Sequence, residues 1–110
     1  MYNIAFSPEA IKDLEETKAY ITEELCNEQA AVKTVSKILK DIRMLSEFPE
    51  SAPLLSSIVD FDTNYRFLVC GNYVAFYRLE ENEVRVVRIL YGRRNFMQAV
   101  RSTILLPQMR

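Results

Sequence analysis

Residues 65–91 read YRFLVCGNYVAFYRLEENEVRVVRILY. The stretch contains three runs rich in Val, Ile, Phe and Tyr: Tyr65–Val69, Tyr73–Arg78 and Val84–Tyr91. Their period-two features fit strands whose successive side chains point to opposite faces of a sheet. Gly71-Asn72 between the first two runs is a two-residue hairpin signal, and Glu80-Glu81-Asn82 supplies the next turn. Short turns between consecutive strands predict an antiparallel meander.

Upstream, the period changes. Residues 2–6, YNIAF, suit a short first strand, and Ser7-Pro8-Glu9 is a helix start. Ser serves as N-cap, Pro fits the first helical position, and an acid faces the positive end of the helix dipole. Ala10, Ile11, Leu14, Thr17, Tyr20 or Ile21, and Leu25 recur at helical spacing, with Lys12, Asp13, Glu15, Glu16 and Lys18 assigned to the other face. Asn27 marks a break. A second helix is predicted from Glu28 to about Glu47, with Ala31, Val35, Ile38, Leu39, Ile42 and Leu45 as its stripe, Phe48 closing it and Pro49 unable to continue it. Two amphipathic helices joined by a few residues form an antiparallel hairpin, and the sheet is the one apolar surface large enough to cover them. Residues 49–64 read as loop. Phe96, Met97, Ala99 and Val100 suggest a short closing helix, followed by an apolar tail from Ile104. The expectation is an α+β domain over residues 1–110, in the order β-α-α-β-β-β-α, with the helical hairpin on one face of a small antiparallel sheet and the opposite face as the working surface.

Composition narrows the chemistry. A chain of 110 residues is one domain's worth and buries roughly two-thirds of its unfolded surface, so it can fold without metal or disulfide staples. Cys26 and Cys70 lack CxxC spacing and suit a reducing cytoplasm. The N-terminus does not read as a signal peptide, and no apolar run approaches the ~20 residues that cross a membrane. Histidine is absent, which removes Ser-His and Cys-His nucleophile pairs and His-ligated zinc. No cofactor or metal is expected.

Charge is unevenly spread. Residues 1–60 carry five Lys and one Arg against eleven acids, whereas residues 61–110 carry eight Arg, no Lys and four acids. Arginine presents a planar fork that grips phosphate or carboxylate with two parallel hydrogen bonds. Arg66, Arg78, Arg88, Arg93 and Arg94 fall on or at the ends of neighbouring meander strands, so they are predicted to converge in a single anion-binding cleft beside Tyr65, Tyr73, Tyr77 and Tyr91. Gly92 sits where the chain leaves a strand and turns, a place that calls for positive φ.

SPEAIKDLEE in the first helix, FPESAP after the second, and YRFLVCGNYVAFYRLEENEVRVVRILYGRRNF together resemble the RelE/ParE superfamily of bacterial toxins over essentially the whole chain. The resemblance implies a cytoplasmic toxin of a type II toxin–antitoxin system, of the kind that serves plasmid stabilisation. Its partner is a cognate antitoxin that wraps it as a hetero-oligomer, and no membrane is involved. It implies one of two activities. RelE-like members cut messenger RNA on the ribosome; here Arg66 and Arg94 would hold the scissile phosphate. ParE-like members poison DNA gyrase and need no nuclease site. RelE-like toxins typically carry a Gly-Tyr-Arg pattern on the middle strand and two alternating lysines on the strand before. This chain has Gly71-Asn72-Tyr73-Val74, and Arg66 and Leu68 at the lysine places; Phe96, lacking a hydroxyl, falls near the aromatic acid–base position. The wording is closer to the ParE side. The expectation is a ParE-like gyrase inhibitor that is more a binding protein than an enzyme, with Arg66, Arg78, Arg88, Arg93, Arg94 and Phe96 contacting antitoxin or target. A RelE-like endonuclease is the first alternative, and a non-toxic binding module on the same fold the second.

Overall fold

The computed structural model describes residues 1–59 and 61–92. The predicted closing helix, the apolar tail, Arg93, Arg94 and Phe96 lie outside the described residues.

Strand β1 spans Asn3–Phe6, helix α1 Pro8–Glu24 and helix α2 Glu28–Arg43. Single 3₁₀ turns follow at Met44–Ser46 and Leu55–Ser57, then β2 at Arg66–Cys70, β3 at Tyr73–Glu80 and β4 at Glu83–Tyr91. Both helices start where the sequence signals a start. The Ser7 hydroxyl accepts from Ala10 N–H at 3.0 Å, and the Asn27 side-chain oxygen accepts from Ala30 N–H at 2.9 Å. Each satisfies an amide that has no partner inside the helix.

The meander forms as predicted, with Cys70 opposite Tyr73 and Glu80 opposite Glu83 across the two turns. Gly71 has φ +63° and Gly92 φ +66°, the left-handed region a Cβ disfavours. The sheet is mixed rather than wholly antiparallel. Its order is β1-β4-β3-β2, and β1 runs parallel to β4, with Asn3 opposite Glu83 and Phe6 opposite Val86. The helical hairpin provides the crossover that a parallel pair requires.

Two cores flank the sheet. On the helix side, Ala10, Ile38, Ile42 and Leu45 pack with Cys70, Tyr73, Ala75, Tyr77, Val84, Val86 and Ile89. Full burial of residues such as Ile38, Ile42 and Leu45 contributes about 1.5–3 kcal/mol each. The opposite face departs from expectation. It is not an open working surface: Leu55 from the second 3₁₀ turn and Tyr65 pack on Val74 and Phe76, with Val59, Phe61, Phe67, Val87 and Leu90 partly buried around them.

Strict alternation also fails once. Phe76 faces Arg88 but Tyr77 faces Val86, so Val87 is an extra residue in β4. This bulge lets Val84, Val86 and Ile89 all join the helix-side core, although residues 86 and 89 have opposite parity.

Candidate functional site

Each arginine on the described strands finds a separate partner. Arg66 Nη1 donates to the backbone oxygens of Ala52 at 2.7 Å and Glu50 at 3.3 Å. It lies opposite Tyr77, whose buried hydroxyl donates to Pro49 O at 2.8 Å. Together the two side chains hold the 49–52 segment against the edge of the sheet.

Arg78 turns to the other face. Its Nη1 donates to the Tyr65 hydroxyl at 2.7 Å, its guanidinium sits 5.7 Å from the Tyr65 ring centroid, and its Nε donates to Glu80. Burial lowers the Arg78 pKa, but the hydrogen bonds with Glu80 and Tyr65 outweigh it and the net movement is upward. Arg78 lies opposite Arg85, which pairs with Glu83 at 3.6 Å.

Arg88 reaches α1. Its Nε and Nη2 donate to the two Asp13 carboxylate oxygens at 2.8 and 3.0 Å, and Ile89 N–H donates to the same carboxylate at 2.9 Å. The bond with Asp13 raises the Arg88 pKa against the effect of burial, and the charges of Asp13, Glu9 and Glu16 add to the rise. The Ser7 hydroxyl donates to Val87 O at 2.8 Å. Two side chains at the start of α1 therefore hold the β4 bulge.

Arg66, Arg78 and Arg88 do not gather in one cleft as predicted. The physical reason is that loop carbonyls, a phenol and a buried carboxylate each offer a nearer acceptor. Arg93 and Arg94, the remaining two of the five, and Phe96 lie outside the described residues. Asp13 is the residue that sequence reasoning placed wrongly. Assigned to the solvent face of α1, it is only 8% exposed and faces the sheet. The signal was its spacing: Asp13 lies three residues after Ala10 and four before Thr17, within the buried stripe, whereas Ile11 is 48% exposed.

The main hollow among the described residues opens between α1 and the ends of β3 and β4, with a volume of about 950 Å³. Asp13 and Arg88 line it together with Glu16, Thr17, Tyr20, Ile21, Leu25, Tyr73 and Tyr91. Tyr73 and Tyr91 meet edge to face, ring centroids 5.3 Å apart at 74°. Burial pushes the Tyr73 phenol pKa up, partly offset by a hydrogen bond with Thr17. Gly92 closes the end of the hollow, its N–H donating to Asn72 O at 2.6 Å. The arrangement holds and presents; nothing in it pairs a nucleophile with a base.

A helical hairpin on a β1-β4-β3-β2 sheet, with basic side chains spent on structure, defines the class as a small α+β protein of RelE/ParE-like architecture. The family model for the ParE toxin of the type II toxin–antitoxin system, parDE, matches residues 4–96, and the chain belongs to that family. It is thus the toxin of a type II toxin–antitoxin system, a class whose members pair with cognate antitoxins.

Among solved structures, the chain is similar to one from the chromosomal ParDE toxin–antitoxin system of P. aeruginosa. The TM-score is 0.72 at 20% identity, covering 84% of this chain and 98% of that one. It is also similar to YoeB of Staphylococcus aureus, solved as a dimer, with a TM-score of 0.55 at 18% identity and coverage of 84% and 98%. For the isolated E. coli RelE toxin the TM-score is 0.54 at 16% identity, covering 93% and 98%. At these identities the likeness is one of fold. No curated protein matches the chain. No helix among the described residues is long and apolar enough to cross a membrane.

Proposed function

We propose that the protein inhibits DNA gyrase by direct protein–protein contact and is neutralised by its cognate antitoxin. The observation that carries this reading is Val74. It occupies the place where a RelE-like pattern puts a functional arginine, and it is 4% exposed within the second core. A guanidinium there would have to displace packed apolar atoms, at a desolvation cost of several kcal/mol. Arg66, the other basic residue a nuclease would use on these strands, donates to two loop carbonyls. Binding, rather than phosphodiester chemistry, is what such a surface supports.

The contacts proposed for antitoxin or target are Arg78 on the outer sheet face and, beyond Gly92, Arg93, Arg94 and Phe96. Arg66 and Arg88 support that surface from beneath.

Order of arrest in cells tests the reading. On induction without antitoxin, incorporation of labelled thymidine should fall before incorporation of labelled amino acid. The reverse order, with cleavage of message in the ribosomal A site, points to the RelE-like endonuclease. Unimpaired growth points to a non-toxic module.

A further inference from the structure

We infer that the hollow between α1 and the β3–β4 end is the surface that docks the toxin's target, and that it takes a segment of gyrase presenting an apolar side chain beside a lysine or arginine. The inference rests on the gyrase reading.

The walls are apolar and aromatic, and the rim is exposed where an anchor would be covered. Tyr20 is 57% exposed, Leu25 58% and Tyr91 68%, large apolar area that the described chain leaves in water. Tyrosine is enriched among interface residues that dominate binding, because its rigid ring buries much area at little entropic cost. Tyr91 is held from behind by its edge-to-face contact with Tyr73, so the platform is already ordered.

Charge complementarity chooses the occupant. Among the described lining residues, two carboxylates, Asp13 and Glu16, stand against one guanidinium, Arg88, and the charge of Glu9 also acts there. Asp13 is already committed to Arg88. Glu16 keeps a side chain 65% exposed, and its contact with Lys12 Nζ is long, at 3.9 Å. A pair at that distance on the surface contributes about 0–1 kcal/mol, so Glu16 is available to an incoming cation. An acidic segment is repelled from this hollow; a segment with a cation flanked by an apolar residue is drawn to it.

Supercoiling of plasmid by purified gyrase, titrated with the full-length protein, tests this. The variants are Tyr20→Ala/Tyr91→Ala and Glu16→Lys, with Lys33→Ala on α2 as control. Expected is a rise of at least about tenfold in the half-inhibitory concentration for the tyrosine pair, and a rise of about three- to tenfold for Glu16→Lys, with Lys33→Ala unchanged. Glu16 is exposed, so its variant reports on docking even if the double variant is unstable. Wild-type inhibition that the variants retain overturns the inference and leaves the gyrase reading standing. Variants that still inhibit but escape neutralisation by the antitoxin also overturn it, since the hollow then belongs to the antitoxin. No inhibition by the wild type overturns both.

Discussion

The Asp13 carboxylate accepts from both the side chain of Arg88, at 2.8 and 3.0 Å, and the backbone N–H of Ile89, at 2.9 Å. One acid on the first helix thus fixes the irregular turn of the last strand. It also fixes the direction in which the chain leaves β4 toward Gly92 and the arginines beyond.

Truncating that acid is expected to cost more than an ordinary surface change. Asp13→Ala leaves a partly buried guanidinium and a buried amide without their acceptor, which predicts a loss of about 2–4 kcal/mol in urea unfolding. Asp13→Asn keeps an oxygen for Ile89 N–H and should lose less. A loss under about 0.5 kcal/mol for the alanine variant, the range of an ordinary surface substitution, contradicts the role given to this clamp.

The 49–52 segment is held by Arg66 and Tyr77 through three carbonyls. Tyr77→Phe removes one buried hydrogen bond, with an expected cost of about 1 kcal/mol. Amide exchange in residues 50–53 should quicken in Tyr77→Phe and in Arg66→Ala, while exchange in α2 stays as it was. Unchanged exchange in the segment in both variants would mean that other contacts hold it.

Alkaline conditions should weaken the fold. Burial pushes the Cys70 thiol up to about 12, with the nearby Asp41 charge adding to the shift, and burial raises the Tyr73 and Tyr77 phenols as well. These acids hold their protons more tightly in the folded chain than in the unfolded one. Their contribution is constant below the unfolded thiol value of about 8.5 and declines as pH rises through 9 toward 12, when the unfolded state ionises first. Melting temperature should therefore fall progressively above about pH 9. The same shift makes Cys70 inert, whereas Cys26 is exposed. At pH 8, Ellman's reagent should titrate one thiol in the native protein and two in denaturant; rapid reaction of both in the native state contradicts the buried placement.

Ser7 has two duties, capping α1 through Ala10 N–H and donating to Val87 O. Ser7→Ala should cost about 1–2 kcal/mol, at or above the usual value for a cap, because a strand carbonyl also loses its donor. Ser7→Gly should not recover it. Recovery by glycine would assign the effect to helix capping alone.

Much of the fold is legible because local rules and packing agree. Ser7-Pro8, Asn27 and Gly71-Asn72 signal boundaries by side-chain chemistry, and the structure uses each one. The α2 stripe is equally clear, since Ala31, Ile38, Ile42 and Leu45 are all buried on one face. What period-two reading cannot supply is the inserted Val87. A single extra residue reverses the parity of everything after it, so Ile89 and Arg88 change faces relative to a strict strand.

The arginine cluster failed for a related reason. Spacing places Arg66, Arg78 and Arg88 near one another in sequence-paired strands, but a guanidinium follows the nearest acceptor. Those acceptors, the carbonyls of 50–52, the Tyr65 phenol and Asp13, come from segments distant in sequence. Asp13 was missed because a carboxylate on a helix is usually solvated, and only a partner contributed by β4 makes its burial favourable.

Purified gyrase in a supercoiling assay tests the central claim most directly. The protein is expected to abolish supercoiling at near-equimolar ratio to gyrase, and its antitoxin to restore it. Full supercoiling at a large excess of folded protein, together with cleavage of ribosome-bound message by the same preparation, would contradict the account.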